Sequence, residues 1–256
     1  MIRKSFEHTT YVKWQQWFDI IYKEIQELLV YRNVFMEVKN IIKANPKIQE
    51  SSSFYDFLDI AYIAFATMSV RRQIKNDKDS ISFARLLSEM QRHPKIMSKE
   101  RFAAMYKMSS DEGRGVPALR KHLENRVQKA FRKYSDESRN YFNPKIADRD
   151  LQYLRMTVKK IEDFADRRIA HCDKRSRKTL ASYKNLDDSI DFLENLVRKY
   201  YLLFHADALI SVLPFYQYDW KQIFKHPWIE HKESDLMEEE VGVVEILKGG
   251  DKNASR

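Results

Sequence analysis

The sequence predicts an all-α protein, and three observations carry that prediction. Apolar residues recur at steps of three and four over long stretches, the period of a helix with one buried face. Only 5 glycines and 6 prolines interrupt 256 residues, so few positions are suited to tight turns. Apolar residues (43%) and charged residues (32%) are both plentiful, a composition that builds a packed core under a solvated surface.

The elements follow in order. From Tyr11 to about Ala44, residues including Trp14, Trp17, Phe18, Ile21, Ile25, Leu28, Leu29, Phe35, Val38 and Ile41 fall on one stripe, which predicts one long amphipathic helix. Asn45-Pro46 ends it, because the residue before proline is pushed out of the α region. The stretch "SSSFYDFLDIAYIAFATMSVRRQIK" supplies serine caps and a segment apolar almost all round, as expected of a central bundle helix. "ISFARLLSEM" predicts a helix stopped by His93-Pro94, and Ser98 caps a short helix through Met105. Residues 109–117, with two glycines and a proline, form the best internal loop and read as a plain linker. "ALRKHLENRVQKAFRKY" places Leu119, Leu123, Val127, Ala130 and Phe131 on one face, with bases elsewhere. Asp148 is the expected cap of a helix running to about Ala170. A last long helix starts at "DDSIDFLENL" and is stopped by Pro214, after which the aromatic stretch Asp219–Trp228 is expected to dock on the bundle. The expected organisation is one helical domain over 1–229 and an acidic, mobile tail over 230–256. There is no internal repeat and no sustained coiled-coil heptad.

The formal net charge is +9. Residues 230–256 hold eight acids against four bases, leaving 42 bases against 29 acids, or +13, over 1–229. Such a field attracts polyanions and admits RNA, DNA or an anionic surface as a partner, although charge specifies neither fold nor chemistry. A single cysteine, Cys172, excludes an intramolecular disulfide framework and fits a reducing compartment. The stretch "MIRKSFEHTTYVKW" lacks the apolar core of a signal peptide. The longest charge-free runs, 60–70 and 208–218, fall far short of the roughly 20 residues a membrane-spanning helix needs. A cytoplasmic protein without membrane attachment is expected.

Phosphate-cradling glycine motifs, an HExxH helix, a CxxC pair and a nucleophile elbow are all missing from the sequence, which removes the usual signatures of most enzyme classes. The seven histidines show no persuasive ligand spacing with acids, so neither a metal nor a cofactor is expected. The chemistry-bearing stretch is "FADRRIAHCDKRSRK", residues 164–178. On a helix, Arg167 and His171 are four apart and Arg168 and His171 three apart, so both guanidinium groups share a face with the imidazole. A histidine of near-neutral pKa can take the proton of a ribose 2′-hydroxyl while an arginine binds the charge that builds on the phosphate. The same residues also fit a purely structural account, since bases at a helix C-terminus complement its dipole. Spacing alone leaves both open.

The nucleic-acid-binding candidates are Arg71, Arg72, Arg120, Lys121, Arg126, Lys129, Lys174 and Arg175. For Arg71 and Arg72, pairing with Asp77 or Asp79 is the favoured expectation. His205 reads as a core histidine held by a hydrogen bond, with Asp207 nearby.

"DRRIAHCDKR", with "SVRRQIKNDKDSISFARLLSEM" upstream and "SIDFLENLVRKYYLLF" and "DWKQIFKHPW" downstream, resembles the AbiU-type abortive-infection family of the HEPN superfamily (higher eukaryotes and prokaryotes nucleotide-binding). The likeness runs in order over roughly residues 10 to 230. It implies a HEPN-like antiparallel helical bundle with additional helices and a role in bacterial phage defence or toxin-like growth arrest. It also implies a homodimer and an antitoxin or other defence protein as partner. Active members carry an arginine, four to six residues, and then a histidine. His171 corresponds to that histidine and Asp166 to the polar residue beside the family arginine, but positions 165 and 166 are Ala and Asp, and Arg167 is one residue too near. The spacing is met instead by Arg3 with His8 and by Arg198 with His205. The readings that follow are a metal-independent ribonuclease using His171, Arg167, Arg168 and Asp166, a catalytically silent module that binds RNA or protein through its basic helices, and a scaffold in a defence system.

Overall fold

Seven α-helices carry the architecture of the computed structural model, which describes residues 2–109, 117–136, 138–166 and 181–228. They are α1 (Ile2–Ala44), α2 (Ser53–Arg72), α3 (Phe83–Arg92), α4 (Lys99–Ser109), α5 (Pro117–Phe131), α6 (Pro144–Phe164) and α7 (Tyr183–His205). Among the described residues there is no strand, only an isolated bridge between Ser98 and Tyr141. The all-α prediction is met. No helix among these residues is long and apolar enough to cross a membrane.

Helix boundaries follow local hydrogen-bonding needs. Asn45 leaves α1 in an extended conformation, and its side chain accepts from the Lys47 amide, starting a 3-10 turn at Pro46. Ser52 and Ser82 cap α2 and α3 in the same way, satisfying amides that have no intrahelical partner. α6 begins earlier than expected, because Asn143 is the cap and Pro144 the first helical residue. Asp148 lies inside the helix and accepts from Gln91 and Gln152. α7 likewise begins at a Ser182–Asn185 capping box. It stops at His205, well before Pro214, because Ala206 turns to φ 55° and its amide closes on the Leu202 carbonyl.

Contacts between α1 and α7 run in opposite order along the two helices. Phe18 stacks on Phe204 with centroids 5.1 Å apart, while fourteen residues further along α1 Arg32 pairs with Asp191 at 2.6 Å. The two are therefore antiparallel. The same reasoning makes α2 antiparallel to α1, from Lys39–Asp59 and Arg72–Glu24. It makes α6 antiparallel to α7, from Tyr200–Asp150 and the Ser189 hydroxyl on the Thr157 carbonyl. One core of fully buried rings, including Trp14, Phe18, Phe83, Phe142, Tyr200 and Phe204, fills the space between them.

α2 departs from the expected central helix. Its buried residues, Tyr62, Ala66, Thr67, Ser69 and Val70, all lie from its midpoint onward. In its N-terminal half Phe54, Phe57 and Ile60 stay exposed. Hydrophobicity all round a helix shows no preferred face, so the pattern could not reveal that only one half is enclosed.

The chain divides into two compact units, Met1–Pro214 and Phe215–Arg256. The first is the helical bundle. In the second, the described residues 215–228 contain a 3-10 helix, Trp220–Lys225, capped by Asp219.

Candidate functional site

Three chain segments converge beside the stretch that the sequence marks as reactive. α2 ends at Arg72, α6 ends at Phe164, and α7 begins at Tyr183. Ile63 and Thr67 of α2, Ile161 and Phe164 of α6, and Ala181, Tyr183 and Leu186 leading into α7 enclose a niche of about 230 Å³. One turn beyond Thr67, the Arg71 guanidinium reaches Asp166, the third residue of the stretch: Nε donates to Oδ1 at 2.6 Å, and Nη2 lies 2.5 Å from the same oxygen. Two residues singled out separately in the sequence are thus in direct contact.

The favoured pairing of Arg71 and Arg72 with Asp77 or Asp79 is overturned. Arg72 reaches Glu24 at 3.8 Å and Ser69 at 3.4 Å. Asp77 instead closes its own turn, accepting from the Ser80 hydroxyl at 2.6 Å, which lowers its pKa from the ordinary value. Local side-chain bonds of this kind form within a turn without bringing distant elements together.

Of the other predicted residues, Lys121, Arg126 and Lys129 are exposed on α5. The Arg126 guanidinium lies 5.6 Å from the Tyr106 ring centroid, and Arg101 of α4 lies 4.4 Å from Tyr11. Cations held over aromatic faces keep their charge while losing freedom, so the α4–α5 hairpin presents ordered positive charge. Arg120 lies in the first turns of α5. Arg167, Arg168, His171, Lys174 and Arg175 fall outside the described residues.

A larger cleft of about 540 Å³ lies along α1 and α7. Its walls carry Asp187, Asp191 and Glu194 against a single arginine, Arg32. Burial raises the Asp187 carboxyl and the Arg32 charge opposes that rise. A carboxylate-lined wall repels phosphate, so size does not make this cleft the nucleic-acid site.

His205 was expected to be held by a hydrogen bond with Asp207 nearby. The acid it approaches comes from α1: Nε2 lies 3.0 Å from Asp19 Oδ1, an ion pair when the imidazole is protonated. The carboxylate does not lie along the N–H direction, and Nε2 makes no hydrogen bond among the described residues. The ring instead packs 4.5 Å from Tyr201 and 5.8 Å from Phe18. Asp207 accepts from the Ala208 amide.

Sequence reasoning missed Asp19 and Arg101 because their partners lie far along the chain, His205 for the first and Tyr11 for the second. It also missed a buried polar network in which Asp150 accepts from Lys199 at 2.5 Å and from Tyr200 at 2.8 Å. An acid on the inner stripe of a predicted helix was the available signal, since a buried carboxylate demands partners. Among the described residues no group of three or more His, Cys, Asp or Glu side chains is arranged to hold a metal ion.

No family model, curated protein or solved structure matches the chain.

Proposed function

We propose that the chain is a HEPN-like protein of bacterial phage defence that engages RNA and cleaves it without a metal. The observation that carries this reading is the Arg71–Asp166 contact. The sequence lacks an arginine at the family spacing before His171, and α2 supplies one to Asp166, which occupies one of the positions where that arginine would stand. A guanidinium has five N–H donors in a rigid fork, so one carboxylate oxygen does not exhaust Arg71. In this reading His171 takes the 2′-hydroxyl proton, the 2′-oxygen attacks the adjacent phosphorus, and the P–O5′ bond breaks with the 5′-oxygen taking a proton from water, giving a 2′,3′-cyclic phosphate and a 5′-hydroxyl. Arg71, aided by Arg167 or Arg168, binds the charge building on the phosphate. Self-association and an antitoxin-like partner belong to the same proposal and rest on the resemblance alone.

A second reading is a silent module that binds RNA or protein. It is favoured by the neutralisation of Arg71 by Asp166, which leaves the exposed bases of α5 as the stronger anion-binding surface. Incubating wild type, His171→Ala and Arg71→Ala with total bacterial RNA in EDTA, then mapping fragment ends, separates the two. Discrete cuts that vanish in both variants support cleavage. Intact RNA with wild type, together with retained binding, supports the module.

A further inference from the structure

The cleft along α1 and α7 has no part in the RNA reading, and its walls are incompletely paired. Asp187, Asp191 and Glu194 of α7 all line it, and their spacing keeps the three on one helix face. Arg32 of α1 takes up the middle acid, donating from Nη1 to Asp191 Oδ1 at 2.6 Å. Asp187 and Glu194, both half-buried, have no hydrogen-bond or ion-pair partner among the described residues. Leu29, Met36 and Leu213 add apolar lining. The segment carrying Leu213 is tied to the helices, because the Gln26 side chain donates to the Val212 carbonyl at 3.1 Å and the Arg198 guanidinium to the Leu209 carbonyl at 3.4 Å. Beside the cleft lies an orphan hydroxyl. Tyr62 is 8% exposed, its ring stacks on Phe35 at 4.0 Å, and its hydroxyl makes no hydrogen bond among the described residues. Burial raises the pKa of that hydroxyl; the charge of Asp187 raises it further and that of Arg32 opposes. Both charges belong to the cleft wall, so the hydroxyl adjoins it. An enclosed polar atom without a partner costs free energy that a donor arriving there removes.

We propose that the cleft binds a linear polyamine, with one ammonium group at Asp187, another at Glu194 and the methylene chain against Leu29, Met36 and Leu213. Such a ligand is independent of the RNA reading above. Charge sets its sign, because three carboxylates against one guanidinium leave the wall two negative charges in surplus, within a chain of net +9. Spacing sets its form. From Asp187 to Glu194 the helix rises about 10.5 Å, too far for both carboxylates to hold one metal ion at the roughly 2.3–2.6 Å of a calcium–oxygen bond. Two ammonium groups joined by an aliphatic chain span that distance, and the chain crosses the Arg32–Asp191 pair, which is already neutral. The cleft volume of about 540 Å³ lies within the roughly 300–1,000 Å³ of small-molecule sites. A single lysine side chain of a partner protein brings one ammonium and leaves the second carboxylate unpaired.

The test is isothermal titration calorimetry on the full chain with spermidine, 1,8-diaminooctane, n-octylamine and a trilysine peptide, at fixed salt. Wild type is compared with Asp187→Asn, Glu194→Gln, the double variant and Asp188→Asn, with circular dichroism confirming unchanged helix content. Asp188 is the control, since it carries the same charge on the same helix but is exposed, pairs with Lys184 and lies outside the cleft. Spermidine and diaminooctane should bind wild type, and octylamine about tenfold more weakly, having lost one charged contact. Each single cleft variant should weaken spermidine about three- to tenfold, the double variant by about the product of the two, and Asp188→Asn should match wild type. Spermidine affinity that is unchanged in the double variant overturns the site and assigns the binding to acids elsewhere. Octylamine bound as tightly as diaminooctane overturns the two-anchor geometry. Wild type that binds trilysine in preference to spermidine overturns the small-molecule ligand in favour of a basic protein segment, and wild type that binds no amine overturns the proposal outright.

Discussion

Arg71 and Asp166, 95 residues apart in the chain, meet through two guanidinium nitrogens on one carboxylate oxygen. The arginine is mostly enclosed, with 21% of its side chain exposed, and the aspartate is 45% exposed. An ion pair this open to water contributes at most about 1 kcal/mol to stability. Its position, in the first residues of the stretch that leads to His171, is what brings it into the proposed site.

Arg71→Ala and Asp166→Ala should therefore each lower the unfolding free energy by less than about 1 kcal/mol, with a coupling energy of about 0.2–1 kcal/mol in the double-mutant cycle. Urea unfolding measures this. Arg71→Ala should at the same time abolish RNA cleavage, whereas Arg71→Lys should restore the charge without the fork and recover little. Cleavage that survives Arg71→Ala at wild-type rate removes Arg71 from the site.

Glu89 predicts an acid-labile fold. Burial alone would raise its carboxyl, but hydrogen bonds from Lys13 and Trp14 and the charges of Lys13 and Arg85 outweigh burial and hold it below the ordinary 4.5. A depressed folded-state pKa contributes stability that is present above 4.5 and lost as pH falls through the folded value. Glu89→Gln should cost about 1.5–3 kcal/mol at pH 7. It should also flatten the fall in stability below pH 4.5. Thermal unfolding from pH 7 to pH 3 reads both effects, and parallel curves for variant and wild type would contradict the assignment.

The fold was legible because helices announce themselves locally. The stripe from Trp14 to Leu29, the Asn45-Pro46 stop and the Ser52 cap each depend on neighbours within a few residues. α2 was misread for the same reason: "FYDFLDIAYIAFATMSV" looks enclosed on every side, yet Phe57 and Ile60 face solvent because only the second half is covered. Partners were the least legible part of the site. Arg71 has acids six and eight residues ahead of it in sequence, and chooses one that only the packing of α2 against α6 brings near.

The α5 bases predict a salt signature. Lys121 and Lys129 are exposed, and each phosphate contact they make with a single strand releases counterions worth about 0.7 in the slope of log affinity against log salt. Lys121→Gln together with Lys129→Gln should reduce that slope by about 1.4, without altering preference among sequences. An unchanged slope would remove α5 from the proposed RNA-binding surface.

Alkaline unfolding should follow the buried tyrosines. Burial raises the Tyr11 hydroxyl to about 12, against the opposing charge of Arg101. Tyr200, wholly buried, is raised well above 10 by burial and then by the charge and hydrogen bond of Asp150. A phenol whose folded pKa exceeds its unfolded value of 10 stabilises the protein fully below pH 10 and loses that contribution as pH rises through the folded value. Stability should therefore fall steadily above pH 10, and a late wave of tyrosinate absorbance should coincide with the loss of helical dichroism. Tyr200→Phe separates the terms. It removes the 2.8 Å bond to Asp150, which should cost about 1–3 kcal/mol at pH 7 because Asp150 stays buried beside Lys199. It also removes one ionisation, so the alkaline decline should become shallower. A Tyr200→Phe curve as steep as that of wild type above pH 10 would assign the alkaline transition to other groups.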